Sequence, residues 1–151
     1  MLPAIQQSLV QCATILQQAR DPWWVIGSAA IALHSFDPGQ IGDIDILVSS
    51  QDARQLSRKR HWENVASQGT DRFRSDLLLR PVIGNLQVEF MAGLQVRHKG
   101  SWHTVLPVTR RIIPLQGMSL FVPEQGELAE ILHLFGREKD IARAALLTER
   151  E

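Results

Sequence analysis

The chain has 151 residues, of which 44% are apolar and 21% charged, a composition typical of a globular protein. Sixteen Lys and Arg residues balance sixteen Asp and Glu residues, so a nucleic-acid or membrane-binding surface would have to be a local patch. No apolar run approaches the roughly 18 residues of a membrane span, and no secretory signal is visible. The single cysteine, Cys12, excludes an internal disulfide and a multi-cysteine metal site. We therefore expect one domain over residues 1–151, a cytoplasmic location and no membrane partner.

The N-terminal part of the sequence predicts a helix, a strand and a second helix. Apolar residues recur at three- and four-residue steps from Pro3 to about Arg20, which indicates an amphipathic helix. Trp23 to Ile26 is a short bulky run ending at Gly27, which is typical of a buried strand and a tight turn. Ser28 to Ser35 predicts a short helix capped by Ser28, and Phe36 to Gly42 predicts a loop.

The middle of the chain predicts strands around one polar helix. Ile44 to Val48 is an apolar strand pattern, and Gln51 to His61 is a helix with cations in its last turn. Phe73 to Val82 and Leu86 to Met91 predict two strands joined by a turn at Gly84-Asn85.

Short strands and two helices are predicted for the rest of the chain. The strands cover Trp102 to Leu106, Arg111 to Leu115 and Ser119 to Val122, the last two joined by a turn at Gln116-Gly117; helices follow Pro123-Glu124 and run from about Glu138 to Leu147, separated at Gly136. Helices at both ends of a mostly sequential set of strands predict an α+β, or mixed α/β, domain.

The most informative motif is Asp43-Ile44-Asp45-Ile46. Because side chains alternate along a strand, the two aspartates share one face and the two isoleucines share the other. Two carboxylates at this spacing repel each other unless a cation lies between them. Mg²⁺ prefers oxygen ligands, commonly one or two carboxylates and substrate phosphates. The motif therefore predicts a metal site, although two solvated residues at a strand end would look the same.

Two other features extend this prediction. Glu89 alternates with Val88 and Phe90 in a second strand pattern, so it could share the metal or accept a proton from an attacking hydroxyl. Gly27 allows close backbone approach, and Ser28 at a helix start offers donors to a phosphate. These are the parts that phosphoryl or nucleotidyl transfer requires. The plainer interpretation of Glu89 is a surface carboxylate.

Gly27-Ser28, a gap of fourteen residues and then Asp-Ile-Asp-Ile resembles the signature of the nucleotidyltransferase (polymerase-beta-like) superfamily. The segment from Phe135 to Asp140 is similar to the Arg-x-Lys-Asp segment of minimal bacterial nucleotidyltransferases and AbiEii-type toxin relatives. The resemblance covers about Trp23 to Val48, Leu86 to Met91 and Val122 to Leu147. The gap between Ser28 and Asp43 is longer than we expect in this superfamily, and the third acid is Glu rather than the commoner Asp.

The resemblance implies a nucleotidyltransferase fold with a mixed sheet flanked by helices. It implies metal ligation and catalysis by Asp43, Asp45 and Glu89, with Mg²⁺ or Mn²⁺ as the cofactor. Nucleotide contacts would come from four further residues: Gly27, Ser28, Arg137 and Lys139.

Basic residues leave several interpretations open. Arg137, Lys139 and Asp140 could instead form only helix-surface pairs. Arg72 and Arg74 could meet a triphosphate, and a cluster on the predicted polar helix could contact RNA or simply be solvated: Arg54, Arg58, Lys59 and Arg60.

The sequence thus predicts an enzyme that moves a nucleoside monophosphate from a nucleoside triphosphate to an acceptor hydroxyl. The acceptor could be RNA, a protein or a small molecule such as an aminoglycoside. A homodimer or a partner subunit could supply acceptor binding, because the chain is short. The alternative is a catalytically silent nucleotide-binding or partner-binding module of the same fold.

Overall fold

The computed structural model describes residues 1–148, and within them five α-helices, two short 3-10 helices and ten strands. The α-helices are α1 (Pro3–Ile15), α2 (Gly27–Leu33), α3 (Ser50–Arg60), α4 (Gln125–Phe135) and α5 (Glu138–Thr148). The 3-10 helices are Leu16–Gln18 and Ala66–Gln68. The first five strands are β1 (Trp24–Ile26), β2 (Asp43–Leu47), β3 (Phe73–Arg74), β4 (Leu77–Leu79) and β5 (Val82–Ile83). The others are β6 (Leu86–Ala92), β7 (Gln95–His98), β8 (Ser101–Thr104), β9 (Arg111–Leu115) and β10 (Met118–Val122).

The central sheet is mixed, as expected for a mixed α/β fold. Its strand order is β1-β2-β6-β4, and β5 also pairs with β6. Strands β2 and β6 run parallel, whereas β1, β4 and β5 are antiparallel to their partners. The predicted α+β class is therefore confirmed.

One face of the central sheet forms the main core. Ile44 and Ile46 of β2, with Val88 and Phe90 of β6, have no exposed surface. They pack with apolar residues of α1, α2, α4 and α5 in one cluster, which includes the buried thiol of Cys12. Strict alternation leaves the other face of these two strands free for polar side chains.

A smaller sheet, with the order β3-β7-β8, lies beside the central one. Val96 of β7 is fully buried in a second apolar cluster with residues of β1 and α4. Phe73 of β3 contacts Phe135 of α4 edge to face, with ring centroids 5.0 Å apart. One face of this sheet therefore packs against α4.

Two local expectations were wrong, and one strand was missed. The continuous strand from Phe73 to Val82 is divided into β3, β4 and β5, and Pro81 lies at one break because it has no N–H to donate to a ladder. Ser28 does not cap α2: the helix begins at Gly27 directly after β1, with Ile26 in the capping position and no side-chain cap. Strand β7 was not predicted, since only Val96 in it is apolar.

The predicted hairpin of β9 and β10 is confirmed, with its turn at Gln116-Gly117. So is the interruption between the last two helices, where Gly136 has φ of 72°. Within residues 1–148 no helix combines the length and the apolarity that a membrane crossing requires.

Candidate metal and nucleotide site

Three carboxylates meet on the polar face of the central sheet. Asp43 and Asp45 project from β2 on the side opposite Ile44, which is buried, as the alternation predicts. In the parallel pairing of β2 with β6, Asp45 is the register partner of Glu89, so their side chains share that face. One oxygen from each of Asp43, Asp45 and Glu89 lies within 4.8 Å of the others, and all three residues are partly buried. This cluster has the donor set and the spacing of a site for a hard divalent cation.

The carboxylates lie in a cavity of about 250 Å³ that is rich in charged side chains. Gly27 and Ser28 line it beside the aspartates. Its basic lining residues are Arg74, Arg80, Arg137, Lys139 and Arg143. A cavity that combines an acidic cluster with surrounding cations can accommodate both a metal ion and the phosphates of a nucleotide.

The electrostatics show that the protein itself only partly neutralises the carboxylates. The pKa of Asp45 is raised to about 8, first by desolvation and then by the charges of Asp43 and Glu89, while the charges of Arg137 and Lys139 oppose the shift. A bound cation would favour the ionised form of each acid and so relieve this repulsion.

Glu89 contacts a cation, Arg80, as well as the aspartates. Desolvation raises the pKa of Glu89, the charge of Arg80 lowers it, and the charge of Asp43 and a hydrogen bond to the Asp43 carboxyl raise it, leaving the pKa above its ordinary value. Arg80 Nη2 lies 3.6 Å from Glu89 Oε2. Glu89 is thus held between a cation and the aspartate cluster.

Gly27 fits closely against the acidic cluster. Its φ is 69°, in the left-handed region that glycine adopts without steric strain. A Cβ atom at this position would lie 3.0 Å from Asp45 Oδ2. Ser28 follows as the second residue of α2 and is only 9% exposed. The turn from β1 into α2 therefore places Gly27 and Ser28 beside the aspartates.

The start of α5 is fixed by a buried aspartate. Asp140 is 1% exposed and accepts two hydrogen bonds from the Arg137 guanidinium and one from the Arg137 backbone N–H. This acidic residue in the first turn caps the helix. The Arg137 guanidinium also lies 5.0 Å from the ring centroid of Phe73. A solvent-exposed surface pair is therefore the wrong description of Asp140, whereas Lys139 beside it is exposed at the cavity.

The basic residues for which the sequence left several interpretations open lie in different parts of the structure. Arg74 lines the cavity, whereas Arg72 donates a hydrogen bond to the backbone oxygen of Phe135 and is not among the lining residues. The exposed cations at the end of α3, Arg58 to Arg60, also lie outside this cavity.

Arg80 and Arg143 line the cavity but were not predicted. The position of Arg80 could have been predicted from the hairpin in the sequence. The hairpin register pairs Val82 with Gln87 and Leu79 with Phe90. Counting along the two strands from the predicted Gly84-Asn85 turn places Arg80 opposite Glu89. No sequence pattern predicts the position of Arg143, which lines the cavity because α5 packs there. Its guanidinium donates hydrogen bonds to the backbone oxygens of Pro38 and Gln40.

No family model matches the chain, and no curated protein matches it in sequence. Solved structures do. A Thermotoga maritima protein described as a candidate nucleotidyltransferase superposes with a TM-score of 0.72 at 24% identity, over 99% of this chain and 96% of that one. The antibiotic-resistance factor ANT(2'')-Ia superposes with a TM-score of 0.61 at 12% identity, over 98% of this chain and 85% of that one.

The chain has the nucleotidyltransferase fold. A further structure of ANT(2'')-Ia, in complex with adenylyl-2"-tobramycin, is similar over 95% of this chain and 88% of that one, with a TM-score of 0.57 and 12% identity. The fold predicted from the Gly-Ser and Asp-Ile-Asp-Ile motifs is thus confirmed. At these identities the likeness concerns the fold, and the roles of individual residues are argued from the geometry of this chain.

Proposed function

We propose that this protein is a metal-dependent nucleotidyltransferase that moves a nucleoside monophosphate from a nucleoside triphosphate to an acceptor hydroxyl and releases pyrophosphate. The observation that carries the proposal is the triad of Asp43, Asp45 and Glu89, which lies beside the Gly27-Ser28 turn in a cavity lined by cations. The nucleotidyltransferase fold supports it independently.

The donor set fits Mg²⁺ or Mn²⁺. Three carboxylates offer hard oxygen ligands within 4.8 Å of one another, and among residues 1–148 no cluster with His or Cys competes as a metal site. When bound, such an ion would neutralise charge on the phosphates and orient them for displacement.

The three carboxylates have different roles in the proposed reaction. Asp43 and Asp45 hold the ion, and Glu89 either completes its ligands or accepts the proton of the acceptor hydroxyl. The acceptor oxygen forms a bond to the α-phosphorus as the bond from that phosphorus to the β-phosphate oxygen breaks, and the electron pair leaves with pyrophosphate.

The phosphates are expected to lie between the Gly27-Ser28 turn and the start of α5. Gly27 keeps the backbone close to Asp45, and Ser28 lines the same cavity. Lys139 is exposed at the cavity, so its flexible side chain can adjust to the position of a phosphate. Arg137 is held by Asp140 and offers a positive charge at a fixed position.

The acceptor is less constrained than the nucleotide. ANT(2'')-Ia has been seen with adenylyl-2"-tobramycin, so an aminoglycoside is one candidate, and RNA or a protein hydroxyl are others. A second copy of the chain or a partner subunit would enlarge the acceptor site. The narrower resemblance to AbiEii-type toxin relatives stays a prediction.

A transfer assay tests the proposal. The protein is incubated with each α-labelled nucleoside triphosphate, Mg²⁺ or Mn²⁺, and separate pools of RNA, protein and aminoglycosides. We expect label on one acceptor, lost in Asp45→Asn and Glu89→Gln but kept in Glu63→Gln, an exposed carboxylate outside the cavity. Metal-dependent nucleotide binding without transfer to any pool would instead favour a silent module of the same fold.

A further inference from the structure

The small sheet has a polar face directed away from α4. Strand pairing aligns Arg74 of β3 with Gln95 of β7, and Gln95 with Thr104 of β8; Arg97 is the partner of Trp102 on the same two strands. Because residues two apart share a face, all five side chains lie on one surface, here called the outer face. Arg74, Arg97 and Thr104 are exposed, and Gln95 and Trp102 are partly exposed.

The outer face is organised before any ligand arrives. Arg74 Nε donates a hydrogen bond of 2.7 Å to Gln95 Oε1. The Arg74 guanidinium also lies 4.0 Å from the ring centroid of Trp102, which is a close cation–π contact. Two partners thus hold the guanidinium over the indole, so little side-chain freedom remains to be lost on binding.

The charge of this region differs from that of the whole chain. None of the five outer-face residues is acidic, and two are arginines. The outer face therefore carries positive charge that attracts anions, although the chain as a whole is neutral.

Arg74 belongs both to the outer face and to the cavity that holds Asp43, Asp45 and Glu89. The outer face therefore adjoins the cavity at Arg74, and a long ligand lying on this face could extend to the cavity. Arg97 and Trp102 lie on this face but are not among the cavity-lining residues, so their role can be separated from nucleotide binding.

We infer that the outer face binds single-stranded RNA and directs its terminal hydroxyl to the carboxylate cavity as the acceptor. This rests on the proposed function. Arg74 and Arg97 are suited to phosphates, and the Trp102–Arg74 stack offers planar surfaces for bases. Gln95 and Thr104 offer hydrogen bonds to ribose 2'-hydroxyls. A polycationic aminoglycoside has the wrong charge for this face.

Fluorescence anisotropy with a labelled single-stranded RNA of about 12 nucleotides, without nucleotide or metal, tests this surface. Arg97→Ala should weaken binding about fivefold and lower the salt slope by about one. Trp102→Leu, which removes a stacking surface, should weaken it about tenfold. Circular dichroism checks that each variant is folded, and Arg97→Ala changes only an exposed side chain.

The control is Arg60→Ala, which removes an exposed cation from the end of α3. It should bind RNA as the wild type does, and DNA of the same sequence should bind the wild type more weakly than RNA. Wild-type RNA affinity in both Arg97→Ala and Trp102→Leu, or a loss confined to Arg60→Ala, would overturn the inference; equal affinity for DNA would overturn the assignment to RNA.

Calorimetry separates this inference from the proposed function. Arg97→Ala should keep the wild-type affinity for nucleoside triphosphate with Mg²⁺, because Arg97 is outside the cavity. Normal nucleotide binding with no RNA binding refutes the outer face alone. RNA binding at the outer face without any metal-dependent nucleotide binding refutes the proposed transfer, and with it the role of the RNA as acceptor.

Discussion

Gly27 and Asp45 are in such close contact that a Cβ atom on Gly27 would lie 3.0 Å from Asp45 Oδ2. Gly27→Ala should therefore act in two ways. The left-handed φ of 69° should make alanine cost about 1–2 kcal/mol of unfolding free energy. Displacement of the Asp45 carboxylate should lower the affinity for Mg²⁺ by about tenfold. Urea unfolding and calorimetry measure the two effects.

Gly117→Ala is the matched control for this substitution. Gly117 has φ of 80°, but a Cβ atom there would meet nothing within 4 Å. The control should lose similar stability and keep its Mg²⁺ affinity. Equal Mg²⁺ affinity in Gly27→Ala and the wild type would show that the close packing at Asp45 is irrelevant to the metal.

Removing the charge of Asp45 should stabilise the metal-free protein at alkaline pH. The folded-state pKa of about 8 lies above the unfolded value of about 4, so between these values the folded state holds a proton that the unfolded state has lost. The contribution of Asp45 to stability therefore falls as pH rises from about 4 to 8. With a chelator present, the Tm of Asp45→Asn minus that of the wild type should increase across this range. A constant difference would contradict the raised pKa.

Metal binding should have the opposite pH dependence. The ion needs the carboxylate of Asp45 in its ionised form, so binding below pH 8 should release a proton. Affinity for Mg²⁺ should rise by up to about tenfold per pH unit between about pH 6 and 8. Calorimetry in two buffers with different ionisation enthalpies counts the protons released. Binding that releases none would contradict the combination of a raised pKa and metal ligation at Asp45.

Glu127 offers a stability test away from the cavity. Its carboxylate accepts hydrogen bonds from the backbone N–H groups of Val108 and Thr109 and from the Thr109 hydroxyl. Desolvation opposes ionisation, but these three bonds outweigh it and lower the pKa. Glu127→Gln should lose about 1–2 kcal/mol at neutral pH.

The lowered pKa of Glu127 makes this stabilisation depend on pH. It is fully present above the ordinary Glu pKa and is lost as pH falls through the lower folded-state value. The difference in unfolding free energy between wild type and Glu127→Gln should therefore shrink in acid, while Mg²⁺ affinity stays unchanged. A difference that grows in acid would contradict the hydrogen-bonding account.

The sequence could predict the acidic cluster because strand alternation is a local rule. Asp43 and Asp45 had to share a face once Ile44 and Ile46 were buried, and Glu89 followed from the same alternation beside Val88 and Phe90. The parallel register that places Asp45 opposite Glu89 is a tertiary fact. The resemblance to a known fold, rather than periodicity, indicated that the two strands are neighbours.

Other parts of the site depend on packing that no local pattern encodes. Arg143 reaches the cavity only because α5 packs beside the loop containing Pro38. Asp140 looked like a solvated helix residue, yet it is buried and holds Arg137. Strand β7 has a mostly polar sequence, because its outer face carries Gln95 and Arg97, so the hydrophobic pattern gave no indication of it.

The central claim is that Asp43 and Asp45 hold a metal through which the nucleotide binds. Calorimetry of ATP or GTP binding, with and without Mg²⁺, on wild type and on the isosteric Asp45→Asn variant tests it most directly. We expect tight binding only for wild type with Mg²⁺ and a folded variant that has lost most of this affinity. Equal nucleotide affinity in all four measurements would contradict the account, because the aspartates would then not be metal ligands.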